Sequence, residues 1–286
     1  MTKFTNKLAL ATLVTASVFT SNLSAQQLKV PAASSTQTVK QTFALSEINL
    51  EYSRPSAKQR VVFGELVPFG KIWRTGANQA TKITFGDDVK IDGKDLKAGT
   101  YAIYTIPNKE SWEILFYKDL TIGGNISNYK AENEVLRVNV KAGKLTDHVE
   151  TFRIDFESIT ATSVLVELKW EKTKVAFTVT EDIDAKVMKN IETSLAADSR
   201  PYFVAANYYY DNDKDLAKAL EWTNKAIEAN PKGFFIYSLK AKIQYKQKDF
   251  KGATASAQKT VELATEAKND DFVAIGNKII ADSKGK

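Results

Sequence analysis

From Gln37 to Thr180 apolar and polar residues alternate with a period of two. Phe43 and Leu45, then Ile48 and Leu50, mark the first strands. Val89-Lys90-Ile91 and Lys94-Asp95-Leu96 flank Asp92-Gly93, a hairpin signal because both turn residues tolerate positive φ. Residues 100–106 form the next run, which Pro107-Asn108 ends. Trp112, Ile114 and Phe116 alternate with polar or outward neighbours, as do Leu136, Val138 and Val140, then Phe152, Ile154 and Phe156. Val164, Val166, Leu168 and Trp170 follow, and Val175, Phe177 and Val179 close the set. Strands with one apolar face, joined by short turns, make antiparallel sheets that pack face to face. The pattern predicts an antiparallel β-sandwich of about eight to ten strands, with a closed barrel as the alternative.

After Thr180 the period changes. Ile183, Val187, Ile191 and Leu195 recur every fourth residue, which is one face of an amphipathic helix capped by Asp182. Residues 200–267 then repeat with a period of 34: Phe203 aligns with Tyr237, Asn207 with Ala241, Lys214-Asp215-Leu216 with Lys248-Asp249-Phe250, and Ala219 with Ala253. With Tyr210, Ala226 and Pro231, this resembles two tetratricopeptide units, the second degraded at Gln244 and Thr265. Residues 270–282 are expected to cap the array. Two units fall short of the roughly three that such arrays usually need. The preceding helix and the sandwich are expected to supply the missing contacts. The fold class is therefore multidomain, an all-β sandwich followed by a small all-α helical array. The boundaries are 37–180 for the sandwich and 181–286 for the helices.

One stretch inside the β region departs from alternation. From Glu51 to Phe85 it concentrates Pro55, Pro68, Gly64, Gly70, Gly76, Arg54, Arg60, Arg74 and Trp73. Glycine serves positive φ or close approach, and proline fixes φ, so this is a shaped loop segment between strands. Tyr52-Ser53-Arg54-Pro55, Arg60, Phe63-Gly64, Leu66-Val67-Pro68-Phe69-Gly70, Trp73-Arg74-Thr75-Gly76-Ala77-Asn78 and Ala80-Thr81 resemble the signature of the bacterial domain of unknown function family 2911. The resemblance runs from about Gln37 to Val179 and implies a domain without implying a reaction. The candidate ligand-binding residues are Arg54, Arg60, Trp73, Arg74, Thr75 and Asn78, facing an anionic or carbohydrate ligand. The structural alternative for Arg74 is a bridge between loops through carbonyls and a carboxylate such as Glu51. Tyr52, Tyr101, Tyr104 and Trp112 read as strand packing rather than as a sugar platform. In the helical part, Tyr208 and Tyr209 are the candidate partner-binding residues.

Residues 1–25 read as a secretory signal peptide, with Lys3 and Lys7 before the apolar run from Leu8 to Thr20 and Ala25 at the cleavage point. Residues 26–36 read as a flexible polar linker. The chain is thus expected to be exported, to the periplasm or beyond the cell. No later segment is long and apolar enough to span a bilayer. The net charge of +6 is spread over both halves without a basic block, so nucleic acid is not expected as a partner. The absence of cysteine removes disulfides, thiolate nucleophiles and most structural zinc sites, and neither a metal nor a cofactor is expected. His148 is the single histidine and reads as a surface residue beside Asp147. Ser127 and Lys130 match the opening of a serine-lysine acyl-enzyme motif by chance, in a glycine- and asparagine-rich segment from Thr121 to Asn133 that reads as a long mobile loop. The functional expectation is an exported, non-catalytic binding protein that meets a ligand or envelope component through the sandwich and a protein through the helices. One alternative is a glycan hydrolase built on Glu51, Asp87, Asp88 or Glu113, which needs two carboxylates facing across a cleft. The other is a purely structural scaffold.

Overall fold

The structure is a computed structural model that describes residues 30–196 and 201–286. The expected signal peptide lies outside the described residues, as does residues 26–29 of the expected linker. That stretch does not stay irregular to residue 36, because the first strand begins at Ser35.

Among the described residues ten strands form two open antiparallel sheets: β1 (Ser35–Phe43), β2 (Ser46–Arg54), β3 (Thr81–Phe85), β4 (Val89–Ile91), β5 (Lys94–Leu96), β6 (Gly99–Pro107), β7 (Ser111–Tyr117), β8 (Glu134–Lys141), β9 (Gly143–Glu157) and β10 (Ser163–Thr180). One sheet has the order β1-β2-β3-β6-β7-β8 and the other β5-β4-β10-β9. The sheets do not close into a barrel. Their inner faces share one core that includes Leu50, Ile83, Ile103, Ile114, Phe116 and Val138 from the larger sheet, and Ile91, Ile154, Val166, Leu168 and Phe177 from the smaller. The β4–β5 hairpin turns on Asp92 and Gly93 at φ 46° and 81°, as a two-residue primed turn requires.

The two apolar runs at 164–170 and 175–179 are one strand. Val164, Val166, Leu168 and Trp170 face the core from even positions, and Val175, Phe177 and Val179 from odd ones. Register irregularities on either side of Glu171, which sits at φ 53°, switch the parity between them.

The segment from Thr121 to Asn133 is not a free loop. It folds over the outer face of β6 and β7, where Ile122 and Tyr129 pack on Tyr104, Leu115 and Tyr117. The Tyr104 hydroxyl donates to the Gly123 carbonyl at 2.7 Å, and the Lys130 amide donates to the Tyr117 hydroxyl at 3.0 Å.

Six helices follow among the described residues: α1 (Asp184–Ala196), α2 (Tyr202–Asp211), α3 (Leu216–Ala229), α4 (Phe234–Lys246), α5 (Phe250–Glu266) and α6 (Asp270–Ser283). The Asp182 carboxylate accepts from the Asp184 amide at the start of α1. Asp215 and Asp249, the aligned residues of the period-34 pattern, cap α3 and α5. Ala219, Ala241 and Ala253 are fully buried where helices cross closely. The helices have their own core around Ala205, Ala206, Tyr209, Trp222, Leu239 and Ile243. Val187, Met188, Ile191 and Leu195 of α1 complete it. The preceding helix supplies the contacts expected of it; among the described residues no helical residue belongs to the core between the sheets. Polar contacts link the two instead: the Lys186 ammonium pairs with Asp87 of the β3–β4 turn and with buried Glu181, each at 2.9 Å. Among the described residues no helix is long and apolar enough to cross a membrane.

Candidate functional site

The shaped segment crosses one end of the sandwich from the smaller sheet to the larger. At its start it clings to β9: the Phe152 amide donates to the Pro55 carbonyl and the Ala57 amide to the Glu150 carbonyl. At its end Trp73 exchanges both backbone hydrogen bonds with Thr105 of β6, at 2.7 and 2.9 Å. Phe63 and Trp73 drop inward between the sheets. Trp73 stacks on Trp170 of β10 at 5.8 Å and 20°, and meets Phe152 of β9 and Trp112 of β7 edge-on. Such a cluster gives a large apolar payload with defined geometry, which fixes the segment in place.

Above this cluster lies a cavity of about 350 Å³, lined in part by Leu66, Val67, Trp73 and Trp170. Three cationic residues also line it: Lys58, Arg60 and Arg74. No carboxylate does. The Arg60 guanidinium donates to the carbonyls of Ala57 and Ser56, at 2.8 and 2.7 Å, which orients it without neutralising it. Arg74 is half-buried, and its Nε is buried with no hydrogen-bond acceptor among the described residues. Its side chain forms no ion pair there either, so Glu51 is not its partner; Glu51 lies 3.8 Å from Lys82 instead. Glu150 sits outside the lining. The Lys58 amide, and then His148, hold its carboxyl below the usual range.

The six sequence-derived candidates divide into two groups. Arg60, Trp73 and Arg74 converge on the cavity. The other three build its frame. Arg54 donates through Nε to the Phe152 carbonyl at 3.1 Å, tying β2 to β9. Thr75 is fully buried, and its hydroxyl donates to Thr105 Oγ1 at 3.2 Å. Asn78 is exposed and donates to the Ser53 hydroxyl and the Ser34 carbonyl, each at 3.2 Å. Lys58 and Trp170 complete the site and were not singled out from sequence. Trp170 gave only the signal of an inward strand position, and Lys58 gave none.

Glu51, Asp87, Asp88 and Glu113 do not face one another. They pair separately with Lys82, Lys186, Lys97 and Arg137. His148 is exposed and 3.2 Å from Glu150. The Ser127 hydroxyl donates to Asn125 of its own turn. Among the described residues no three metal-ligating side chains gather. Tyr52, Tyr101, Tyr104 and Trp112 are all buried, as packing residues should be.

In the helices, Tyr209 is buried edge-on against Trp222 at 4.8 Å. The Tyr208 hydroxyl donates to Asp184 at 2.9 Å, with the Lys214 ammonium over its ring. Tyr208 is thus tied within the helical part, whereas Tyr209 also lines a cavity of about 670 Å³ with Met188, Leu195 and Trp222. Their neighbour Tyr210 opens onto a second cavity.

No curated protein and no solved structure matches the chain. Residues 34–179, the whole sandwich with the segment that closes its end, match the family described as "Protein of unknown function (DUF2911)", and the chain belongs to that family.

Proposed function

We propose that the chain is an exported, non-catalytic binding protein. Its sandwich receives a small oxyanion, or the carboxylate, sulfate or phosphate group of an envelope component, among Lys58, Arg60 and Arg74. Its tetratricopeptide-like helices engage a protein. One observation carries the reading: Arg74 lines a carboxylate-free cavity, and its buried Nε has no acceptor among the described residues. A buried charged donor without a partner is costly, and an incoming anion removes that cost through charge-assisted, bidentate hydrogen bonds. The tryptophans argue for an ion over a sugar ring. Trp73 is 9% exposed and Trp170 2%, so neither offers a stacking face. The cavity volume lies within the range of small-molecule sites, on the order of 300–1,000 Å³.

Calorimetric titration with sulfate, phosphate and glucuronate is expected to give saturable binding of at least one. Arg74→Ala is expected to weaken it by about tenfold or more while changing unfolding stability by no more than about 0.5 kcal/mol. A loss of about 3–5 kcal/mol would mean that Arg74 is a structural tie, and the binding reading would fall. Export is checked by N-terminal sequencing of the natural protein, which should begin near Gln26; an intact Met1 would contradict it.

A further inference from the structure

The helical part holds a second cavity, of about 570 Å³, where α2, α4 and α6 end and α5 begins. Its walls include Tyr210, Tyr245, Phe250 and Ile279, and four lysines surround them: Lys242, Lys246, Lys248 and Lys286. Asp282 is the one carboxylate in the lining, and it pairs with Lys278 at 3.2 Å.

The lysines are not equivalent. Lys246 pairs with Asp213 and donates to the Tyr210 carbonyl at the end of α2, the ordinary service of a lysine near a helix C-terminus. Lys242 and Lys248 have no acceptor and no carboxylate among the described residues. Lys286 donates to the Tyr245 hydroxyl at 2.7 Å and stands over the rings of Tyr245 and Phe250, at 5.0 and 5.7 Å. A cation parked on a ring keeps its charge and can turn to an anion without breaking an ion pair.

We infer that this cavity is the partner site of the helical array, and that it takes an acidic peptide segment carrying an apolar side chain. The side chain would lie on Tyr210, Phe250 and Ile279, and the flanking carboxylates would meet Lys242, Lys248 and Lys286. Apolar side chains and lysines line one concavity, which suits an inserted side chain with acidic neighbours. A flat membrane needs a protruding apolar group. Among the described residues, the one large hydrophobic residue exposed on the helices, Val204, is not in this cavity. The inference rests on the partner-binding half of the proposed function and is independent of the sandwich site.

The test uses the full chain and a short fluorescein-labelled peptide in which Glu alternates with Leu and Phe, followed by anisotropy. Saturable binding is expected, about tenfold or more tighter than for the same peptide with Gln in place of Glu, and weakening as salt rises. The double variant Lys242→Glu, Lys248→Glu should lose about tenfold or more in affinity, with an unchanged helical circular dichroism spectrum. Lys248→Glu alone, at an exposed turn, serves if the double variant misfolds. Arg74→Ala should bind the peptide as the parent does; if it does not, the peptide sits in the sandwich and the assignment is wrong. No saturation up to about 1 mM peptide overturns the inference. So does equal binding of the Gln peptide, or indifference to the charge reversals. Binding to phosphatidylglycerol vesicles that the same charge reversals abolish, without peptide binding, would replace it with a membrane site.

Discussion

Gly76 stands at φ +148°, and a β-carbon built there lies 2.8 Å from the Ser53 carbonyl oxygen. That oxygen belongs to β2 and accepts from the Ala77 amide, so it cannot withdraw freely. Gly76→Ala is therefore expected to cost about 1–3 kcal/mol, read from urea unfolding; a neutral result would show that the corner can relax. Gly124 is constrained in the same way from the other side, with the Asn78 carbonyl oxygen 2.1 Å from its would-be β-carbon and the Arg74 Cδ at 3.2 Å. At this scale the sequence displayed the unusual residues but not their division of labour. Arg54 and Arg74 look alike in the chain. One finds a carbonyl on β9, and the other lines a cavity with no acceptor for its Nε among the described residues. That difference depends on Phe152, far away in sequence, and no local pattern contains it. Lys58 was invisible for the same reason, because a lysine in a polar turn carries no mark of what lies above it.

Elements were more legible, because periodicity reports burial directly. The hairpin at Asp92-Gly93 and the alternating strands stand where pattern and turn chemistry put them, except that Leu45 is exposed in the turn between β1 and β2. Alternation failed where it broke. The parity switch at Glu171 looked like the gap between two strands, and the polar segment 121–133 looked mobile because its few apolar residues follow no period. The first helix of the array yields a pH prediction. The Asp184 carboxylate of α1 accepts from the Lys214 ammonium at 2.6 Å and from the Tyr208 hydroxyl at 2.9 Å. Lys214 first, then Tyr208, hold its carboxyl below the ordinary value of 3.8. A carboxyl lowered on folding stabilises fully above its unfolded value, and that contribution is lost as pH falls through the folded value. The protection of α1 amides, exchange rates being referred to the intrinsic rate at each pH, should fall as the pH drops below about 4. Asp184→Asn should remove much of that acid response while raising exchange at neutral pH. An identical acid response in the variant would place the sensitive group elsewhere.

On the scale of the molecule, the disjoint cores predict separable folding. A fragment of residues 34–181 should unfold cooperatively with the near-ultraviolet spectrum of the parent sandwich, since every strand and the aromatic cluster remain. A disordered fragment would show that the helices support the sheets after all. The change of period near Thr180 made the order of architectures readable. How the two parts meet was not readable, because the link is made by polar residues, Asp87, Glu181 and Lys186, which carry no periodic signature.

The stacking of Trp73 on Trp170 has an optical consequence. Two indoles held face to face, with Trp112 6.2 Å from Trp73, share their excited states, so their emission and circular dichroism are those of a coupled set. Both stacked rings line the cationic cavity, and an anion bound beside Arg74, as we propose, would change the electric field across them. Trp222, the fourth tryptophan, emits from the separate helical core and supplies an internal reference. If the proposed site takes an anion, the sandwich thus carries its own indicator dye, and a panel of anions can be screened on the unlabelled protein by the colour of its fluorescence.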